Sequence, residues 1–207
     1  TTMLLKNLID NPSSKIGNEI IKGISSDSRN VKKGEIFVSI KGNKFDGNKY
    51  IDQAYLKGAK VIIYSGFLKK KYKNAKLIKV KDTRTKLAEI SSKYYKKKPK
   101  NIIAVTGTNG KTSISDFFHQ IFRIQKKRVG LLGTLGFKKN DRLKKRELTT
   151  LDSLNLHKDL YEMKKSKIDN VIIEASSHGL KQKRLDFLNV KSGIFTNNPF
   201  LIFSNFT

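Results

Sequence analysis

The chain has 207 residues, 37% of them hydrophobic, with no cysteine and a formal net charge of +27 from 44 Lys+Arg against 17 Asp+Glu. This length fits one large or two small domains, and the lack of cysteine excludes a disulfide framework and a cysteine zinc site. No apolar run approaches the roughly 20 residues that a membrane-spanning helix needs, and the apolar start is too short for a signal peptide, so we expect a cytoplasmic protein without a membrane partner.

The sequence of the first half of the chain predicts short strands and two helices. Two strand-like runs flank a Lys-Gly turn at Gly34 within 23–42. A helical spacing of apolar residues follows and is expected to end near Gly58, before the buried strand KVIIYSG. Asp82 is predicted to cap the next helix. The apolar face of that helix is formed by Leu87, Ile90 and Tyr94.

The lysine-rich stretch around Pro99 is predicted to be a domain boundary. Residues 1–98 then form a small mixed α/β domain and residues 99–207 a second domain. The second domain repeats a strand, a loop and a helix, which favours an α/β, mostly parallel, doubly wound sheet of P-loop type. Such sheets bind ligands at the carboxyl ends of their strands.

The second domain contains four predicted buried strands and two long helices. The strands lie in NIIAV, RVGLLG, VIIEAS and SGIF, and the first helix is expected from Lys111 to Ile124. The polar segment 137–150 is interpreted as a hairpin or an excursion. The second helix follows it, with Asp152 or Ser153 as its cap and Leu154, Leu160 and Met163 facing inward.

The sequence VTGTNGKTS follows the first of these strands. The general phosphate-loop pattern, G-x-x-x-x-G-K-[ST], needs a glycine at Val105, but the first glycine here is Gly107. A glycine loop that opens a helix attracts phosphate through unpaired N–H groups and the helix dipole. We therefore predict a phosphate site in which Lys111 reaches the β/γ-phosphates and the Thr112 hydroxyl binds Mg²⁺, rather than an ordinary strand–helix turn.

Two further polar groups stand at predicted strand ends. Glu174 closes the run VIIE, where its carboxylate can hold Mg²⁺ opposite Thr112; the alternative is a solvated acid. Thr196 and Asn197 end the last strand and are expected at the same ligand-binding edge as the glycine loop and Glu174.

The segment ASSHGLKQKR combines hydroxyls with cations. Arg184 can pair with a phosphate or a carboxylate. A hydrolase pair of Ser176 or Ser177 with His178 is disfavoured because the G-x-S-x-G elbow is missing and because adjacent residues at a strand end do not face each other. His178 can equally be a polar residue without a special role. Thr149 and Thr150 precede a predicted helix. Helix N-capping is a sufficient reason for hydroxyl residues there, so these two residues alone do not indicate a ligand site.

The positive charge has two interpretations. It favours polyanions such as nucleic acid or phosphorylated ligands. However, lysine is spread through almost every segment beside many Asn and Ile, and an AT-rich genome favours all three residue types. Tyr94 and Tyr95 interleave with lysines as in single-strand binders, but the helical pattern is expected to bury at least one of them. We expect no specific nucleic-acid partner.

Several motifs, taken together and in order, resemble the Mur ligase family. AVTGTNGKTS is similar to its ATP loop, which also has its first glycine two places later than the general pattern. GTLGF, EASSHGL, FTN and the set Thr149, Thr150 and Asp152 resemble the MurE-type members, and 25–51 is similar to their N-terminal uridine-nucleotide domain. The resemblance covers nearly the whole chain up to Asn197.

The resemblance implies an ATP- and Mg²⁺-dependent ligase of peptidoglycan synthesis. Such a monomeric enzyme adds a diamino acid, meso-diaminopimelate or lysine, to UDP-N-acetylmuramoyl-L-alanyl-D-glutamate through an acyl phosphate. Lys111 and Glu174 are implied to be catalytic, and Thr112 with Glu174 to hold the metal. The implied ATP-binding residues are Gly107, Thr108, Asn109, Gly110, Lys111, Thr112 and Ser113. The implied substrate-binding residues are Ser26, Ser28, Asn43, Lys44, Phe45, Thr149, Thr150, Ser176, Gln182 and Arg184.

The sequence departs from the family pattern at two places. Leu151 stands where the family usually has proline. After Asn197 the chain reads NPFLIFSNFT instead of the family's Asp-His-Leu-Asp-x-His segment, later lysine and C-terminal amino-acid domain. We therefore expect a truncated or frameshifted gene whose product does not complete the reaction alone. A non-catalytic nucleotide-binding remnant and a basic polyanion-binding protein are the alternatives.

Overall fold

The computed structural model describes residues 2–10, 16–42, 46–133, 136–139, 142–144 and 152–197. The chain divides into two compact units, Thr1–Tyr94 and Tyr95–Thr207. None of the helices within the described ranges is long and apolar enough to cross a membrane.

The first unit is built on a four-stranded parallel sheet. A separate antiparallel pair is formed by β1 (Met3–Leu4) and β2 (Ile20–Ile21). The parallel sheet has the order β3 (Ile24–Ser25), β4 (Ile36–Val38), β5 (Val61–Tyr64) and β6 (Lys76–Lys79). Because β3 and β4 are parallel, the turn at Gly34 does not close a hairpin between them. The connection instead passes through a 3-10 turn at Ser28–Asn30.

Two helices belong to this unit, α1 (Ile51–Leu56) and α2 (Thr83–Tyr94). Asp82 caps α2, as predicted, because its carboxylate accepts hydrogen bonds from the Arg84 N–H at 2.9 Å and the Thr85 hydroxyl at 2.7 Å. The predicted apolar face of α2 is confirmed, since Leu87, Ile90 and Tyr94 are all buried.

The second unit contains a six-stranded sheet. Its strands are β7 (Asn101–Thr106), β8 (Val129–Gly133), β9 (Gly136–Lys139), β10 (Arg142–Lys144), β11 (Asn170–Glu174) and β12 (Ser192–Phe195). The order is β10-β9-β8-β11-β7-β12, in which β8, β11, β7 and β12 are parallel. The antiparallel β9 and β10 confirm the hairpin interpretation of the polar segment over their described residues.

Helices cover both faces of this sheet. α3 (Lys111–Ile124) has the predicted bounds, and α4 (Ser153–Lys165) begins after Asp152, which accepts a hydrogen bond from the Asn155 N–H at 2.8 Å. A short helix, α5 (Ser177–Lys181), follows β11. Along β11, Ile172 packs on the α3 side and Ile173 on the α4 side, where Leu154, Leu160 and Met163 are buried. Burying each such side chain stabilises the fold by about 1.5–3 kcal/mol, and the doubly wound prediction is confirmed.

Four helix ends share one hydrogen-bonding motif. α1 ends with Gly58 at φ +92°, as expected from its sequence. α3, α4 and α5 end with a lysine in the same left-handed region: Lys126, Lys167 and Lys183. After α4 the Lys167 N–H donates to Lys164 O at 2.9 Å and the Ile168 N–H to Met163 O at 3.0 Å, which is the Schellman pattern. The three lysines carry a steric cost that glycine avoids.

We predict that Lys167→Gly raises the free energy of unfolding by about 0.5–1 kcal/mol, because the relief of Cβ strain exceeds the added freedom of the unfolded chain. Urea denaturation measures the change. Lys167→Ala keeps the Cβ atom and should give no such gain; equal stabilisation by both variants would contradict the strain argument.

A buried histidine makes the second unit sensitive to acid. His157 of α4 has no exposed surface. Burial, together with the nearby Lys98 charge, lowers the pKa of His157 to about 3. An unfolded histidine has a pKa near 6.5. Its contribution to stability is therefore present above pH 6.5 and is lost as the pH falls from 6.5 toward 3.

We predict that the free energy of unfolding falls between pH 6.5 and 4 by up to about 1.4 kcal/mol per pH unit from this group. His157→Leu should flatten the dependence in urea titrations at several pH values. Lys158→Leu, at the adjacent exposed position of α4, should keep the wild-type slope. An unchanged slope in His157→Leu would assign the acid sensitivity to other groups.

Candidate functional site

Three parallel strands of the second unit end level with one another. Glu174 of β11 pairs with Val105 of β7, and Phe195 of β12 pairs with Thr106 of β7. The chain segments that leave these strands therefore meet at one edge of the sheet, which is where ligands bind in parallel α/β folds. The glycine loop, Glu174 and the end of β12 are all at this edge.

The glycine loop joins β7 to α3 through residues 107–110. Gly107 has φ +144° and Gly110 has φ +79°, both in the region that favours glycine. At Gly107 a Cβ atom would lie 2.1 Å from the Thr196 hydroxyl oxygen, so glycine also gives the two segments room to approach. The loop delivers the N-terminus of α3, with its partial positive charge, to the sheet edge.

Lys111 is the first residue of α3 and bends back over the loop. Its ammonium donates hydrogen bonds to the carbonyl oxygens of Gly107 at 2.6 Å and of Thr108 at 3.2 Å. The positive charge is therefore held at the mouth of the loop, where a phosphate group would be bound. Ser113, also predicted to bind ATP, is exposed in the first turn of α3.

Thr112 and Glu174 meet between neighbouring strand ends. The Thr112 hydroxyl donates to a carboxylate oxygen of Glu174 at 3.3 Å. A Cβ atom on Gly133, the last residue of β8, would lie 2.7 Å from the other carboxylate oxygen, so glycine there leaves room for Glu174. Hydroxyl and carboxylate oxygens are suitable ligands for Mg²⁺.

Among the described residues, no group of three or more His, Cys, Asp or Glu side chains is placed to hold a metal ion. A metal bound by Thr112 and Glu174 would therefore need water and phosphate oxygens for its other ligands. This is the usual condition for Mg²⁺ at nucleotide sites, where one or two protein groups act with the phosphates, so the residues present fit the predicted ion.

The end of β12 braces the glycine loop. The Thr196 hydroxyl donates to Asn109 O, and the Thr108 hydroxyl donates to Asn197 O at 3.1 Å. The Asn109 N–H in turn donates to the side-chain oxygen of Asn197 at 3.0 Å. Thr196 and Asn197 were expected at the ligand-binding edge of the sheet, but their hydrogen bonds to the loop were not predicted. The FTN motif marked the position, but the pairing with the loop depends on tertiary structure.

The segment after β11 gathers three predicted substrate residues. Ser176 caps α5 by accepting a hydrogen bond from the Gly179 N–H at 3.0 Å. Gln182 accepts from Arg184 Nη2 at 2.8 Å. A Cβ atom on Gly179 would lie 3.2 Å from both Ser176 Oγ and Arg184 Cδ, so these side chains converge on the glycine.

The described contacts give no support to a serine–histidine hydrolase. The Ser176 hydroxyl oxygen accepts from the backbone of α5, and the His178 ring contacts Gln182 instead. Both residues belong to a helical turn and its cap rather than to a strand end.

The predicted uridine-nucleotide residues lie in the first unit. The buried Ser28 hydroxyl donates to Gln53 Oε1 at 2.5 Å. Ser26, two positions earlier in the chain, is half-buried. The remaining predicted substrate residues lie outside the described part of the chain: Asn43, Lys44, Phe45, Thr149 and Thr150.

We predict that Asn197→Ala increases the hydrogen-exchange rate of the Asn109 amide about fivefold, because a hydrogen bond contributes about 1 kcal/mol. NMR of the ligand-free protein measures this rate. Asn197→Asp keeps an acceptor oxygen and should preserve most of the protection. Equal exchange in wild type and Asn197→Ala would show that the contact does not restrain the loop.

Two family profiles match the chain in succession. The profile described as Mur ligase family, catalytic domain, matches residues 20–95, and the Mur ligase middle domain matches residues 105–198. The chain belongs to the Mur ligase family. The Mur ligase resemblance drawn from the motifs is thereby confirmed, together with the α/β fold class.

Three known proteins illustrate the similarity. The UDP-N-acetylmuramoyl-L-alanyl-D-glutamate–2,6-diaminopimelate ligase of Rhizobium meliloti is 38% identical over 86% of this chain and 36% of its own length. A solved structure of a ligase with the same name has a TM-score of 0.81 at 28% identity, covering 99% of this chain and 42% of that one. MurF ligase from Thermotoga maritima in complex with ADP has a TM-score of 0.50 at 19% identity, covering 74% of this chain and 32% of that one.

This Mur ligase chain spans little more than a third of the length of the curated relatives that it matches, between 34% and 38%. The middle-domain match, residues 105–198, contains the glycine loop, the Thr112–Glu174 pair and the Ser176–Arg184 segment.

Proposed function

We propose that this chain is the nucleotide- and UDP-substrate-binding part of an ATP-dependent ligase of peptidoglycan biosynthesis. The ligase adds a diamino acid to UDP-N-acetylmuramoyl-L-alanyl-D-glutamate. The observation that carries the proposal is the Thr112 hydroxyl lying 3.3 Å from the Glu174 carboxylate, beside a glycine loop whose mouth holds Lys111. The name of the Rhizobium meliloti relative favours 2,6-diaminopimelate over lysine as the diamino acid.

The proposed reaction forms an amide in two steps. The substrate's D-Glu carboxylate attacks the γ-phosphorus of ATP, and ADP leaves with the electrons of the broken P–O bond. The amine of the diamino acid then attacks the acyl phosphate carbon, loses a proton and displaces inorganic phosphate. Both steps depend chiefly on positioning and on the neutralisation of phosphate charge.

The glycine loop, Lys111, Thr112 and Glu174 have separate roles at the sheet edge. The loop of Gly107, Thr108, Asn109 and Gly110, continued by Ser113, holds the ATP phosphates with backbone N–H groups other than that of Asn109, which donates to Asn197. Lys111 shifts from the loop carbonyls toward the β/γ-phosphates and balances their charge. Thr112 and Glu174 hold Mg²⁺, which supplies charge neutralisation at the phosphates.

The muramoyl dipeptide is proposed to bind near α5. Arg184, Gln182 and Ser176 would contact its carboxylate and hydroxyl groups, together with Thr149 and Thr150. Ser26, Ser28 and residues 43–45 would contact its uridine-nucleotide part. A cytoplasmic location and a monomeric state remain predictions.

We predict that the chain binds Mg·ATP and that Lys111→Ala raises the dissociation constant at least about tenfold, because charge-assisted hydrogen bonds to phosphate are lost. Isothermal titration calorimetry measures both constants. Lys158→Ala removes the same charge from an exposed site on α4 and should bind as the wild type does. Equal affinity in wild type and Lys111→Ala would refute the assignment of the loop.

The wild type and the same two variants also test the alternative that the chain is a basic polyanion-binding protein. Binding to DNA that falls steeply with salt and is equally weakened by Lys111→Ala and Lys158→Ala would indicate a general electrostatic interaction. Selective binding of a uridine nucleotide over other nucleotides at physiological salt would support the proposed ligase part instead.

A further inference from the structure

We propose that His178 is a positioning residue that acts through Gln182 to orient Arg184 toward a carboxylate of the bound substrate. The identity of the carboxylate, a group of the muramoyl dipeptide, rests on the proposed function. The orientation itself rests on the contacts of the segment 176–184.

The C-terminus of α5 turns the chain back on itself. Lys183 lies in the left-handed region at φ +56°. Its N–H donates to Leu180 O at 2.9 Å, and the Arg184 N–H donates to Gly179 O at 3.1 Å, which completes a Schellman motif. The motif brings Arg184 over Gly179, where a Cβ atom would lie 3.2 Å from Arg184 Cδ and 3.3 Å from Nη1. The missing side chain of Gly179 therefore makes room for the arginine.

Gln182 is held by groups on both sides. Its side-chain oxygen accepts hydrogen bonds from Arg184 Nη2 at 2.8 Å and Nε at 3.2 Å. Because a guanidinium only donates, the oxygen must face Arg184. The amide nitrogen of Gln182 then faces the other way and lies 2.7 Å from His178 Nε2.

These contacts determine the tautomer of His178. The Gln182 amide nitrogen is a donor only, so His178 Nε2 must be the acceptor and carries no proton. The neutral ring then carries its proton on Nδ1. A ring with its proton on Nε2 would turn the amide around and present an NH₂ group to the guanidinium, which cannot accept a hydrogen bond. His178 thus selects the amide orientation that holds Arg184.

A fixed guanidinium suits the recognition of a planar anion. Arginine binds carboxylates through paired N–H groups whose direction follows the guanidinium plane. Gln182 holds that plane through two of the donors, and His178 holds Gln182. The Arg184 side chain is therefore already ordered in the ligand-free protein. Because less conformational entropy is lost on binding, the ligand is bound more tightly.

NMR of the ligand-free, ¹⁵N-labelled full chain tests the proposed contacts from His178 through Gln182 to Arg184. We expect the His178 ring to be protonated on Nδ1 with an unprotonated Nε2, and a slowly exchanging Arg184 Nε–H signal. His178→Ala should speed this exchange about fivefold, whereas His178→Gln, whose oxygen reaches the position of Nε2, should keep it. An Nε2-protonated ring, or an unchanged Arg184 signal in His178→Ala, would overturn the proposal. His178 is exposed, so both variants are expected to fold.

Titration with UDP-N-acetylmuramoyl-L-alanyl-D-glutamate tests whether this molecule is the substrate whose carboxylate Arg184 binds. We expect His178→Ala to weaken binding about fivefold and His178→Gln to bind within about twofold of the wild type, with Mg·ATP affinity unchanged in both. Equal weakening by both variants, or a parallel loss of ATP affinity, would assign His178 a merely structural role. If the wild type does not bind this dipeptide, the substrate assignment fails. The NMR measurement on the ligand-free protein still tests whether His178 orients Arg184 through Gln182.

Discussion

The parallel register of β11, β7 and β12 is the constraint on which the candidate site depends. Parallel strands in register end at the same edge of a sheet, so the loops that leave them meet. The glycine loop follows β7, Glu174 ends β11, and Thr196 and Asn197 directly follow β12. The strands are held in this register by apolar cores on both faces, beneath α3 on one side and α4 on the other.

The glycine loop combines backbone freedom with external support. Gly107 and Gly110 have positive φ values that other residues adopt only at a cost, and neither residue has a side chain to hold the loop in place. Support comes instead from Thr196 and Asn197, which hydrogen-bond to Asn109. The loop can therefore keep a shape suited to phosphate without a ligand to impose it. This is the preorganisation that charge-stabilising sites need.

Much of the fold could be predicted from local patterns. The bounds of α3, the Asp82 and Asp152 caps and the Gly58 helix end agree with the structure, because each depends on a few neighbouring residues. The two strands around the turn at Gly34 were predicted, but their pairing direction was not, since two short strands around a turn are compatible with either an antiparallel hairpin or a parallel crossover. Pairing direction is decided by how the rest of the sheet packs, which a local pattern does not contain.

For the candidate site, the sequence by itself identified the residues that we propose to bind phosphate and Mg²⁺. The order of glycines, Lys111, Thr112 and the strand-ending Glu174 is readable because phosphate binding requires these residue types immediately after a strand. Only the tertiary structure decided that Thr112 meets Glu174, that β12 braces the loop and that His178 reaches Arg184 through Gln182. The first two contacts join residues more than sixty positions apart, and the third depends on a left-handed lysine reversing the chain. Such contacts follow from packing and backbone geometry rather than from residue type.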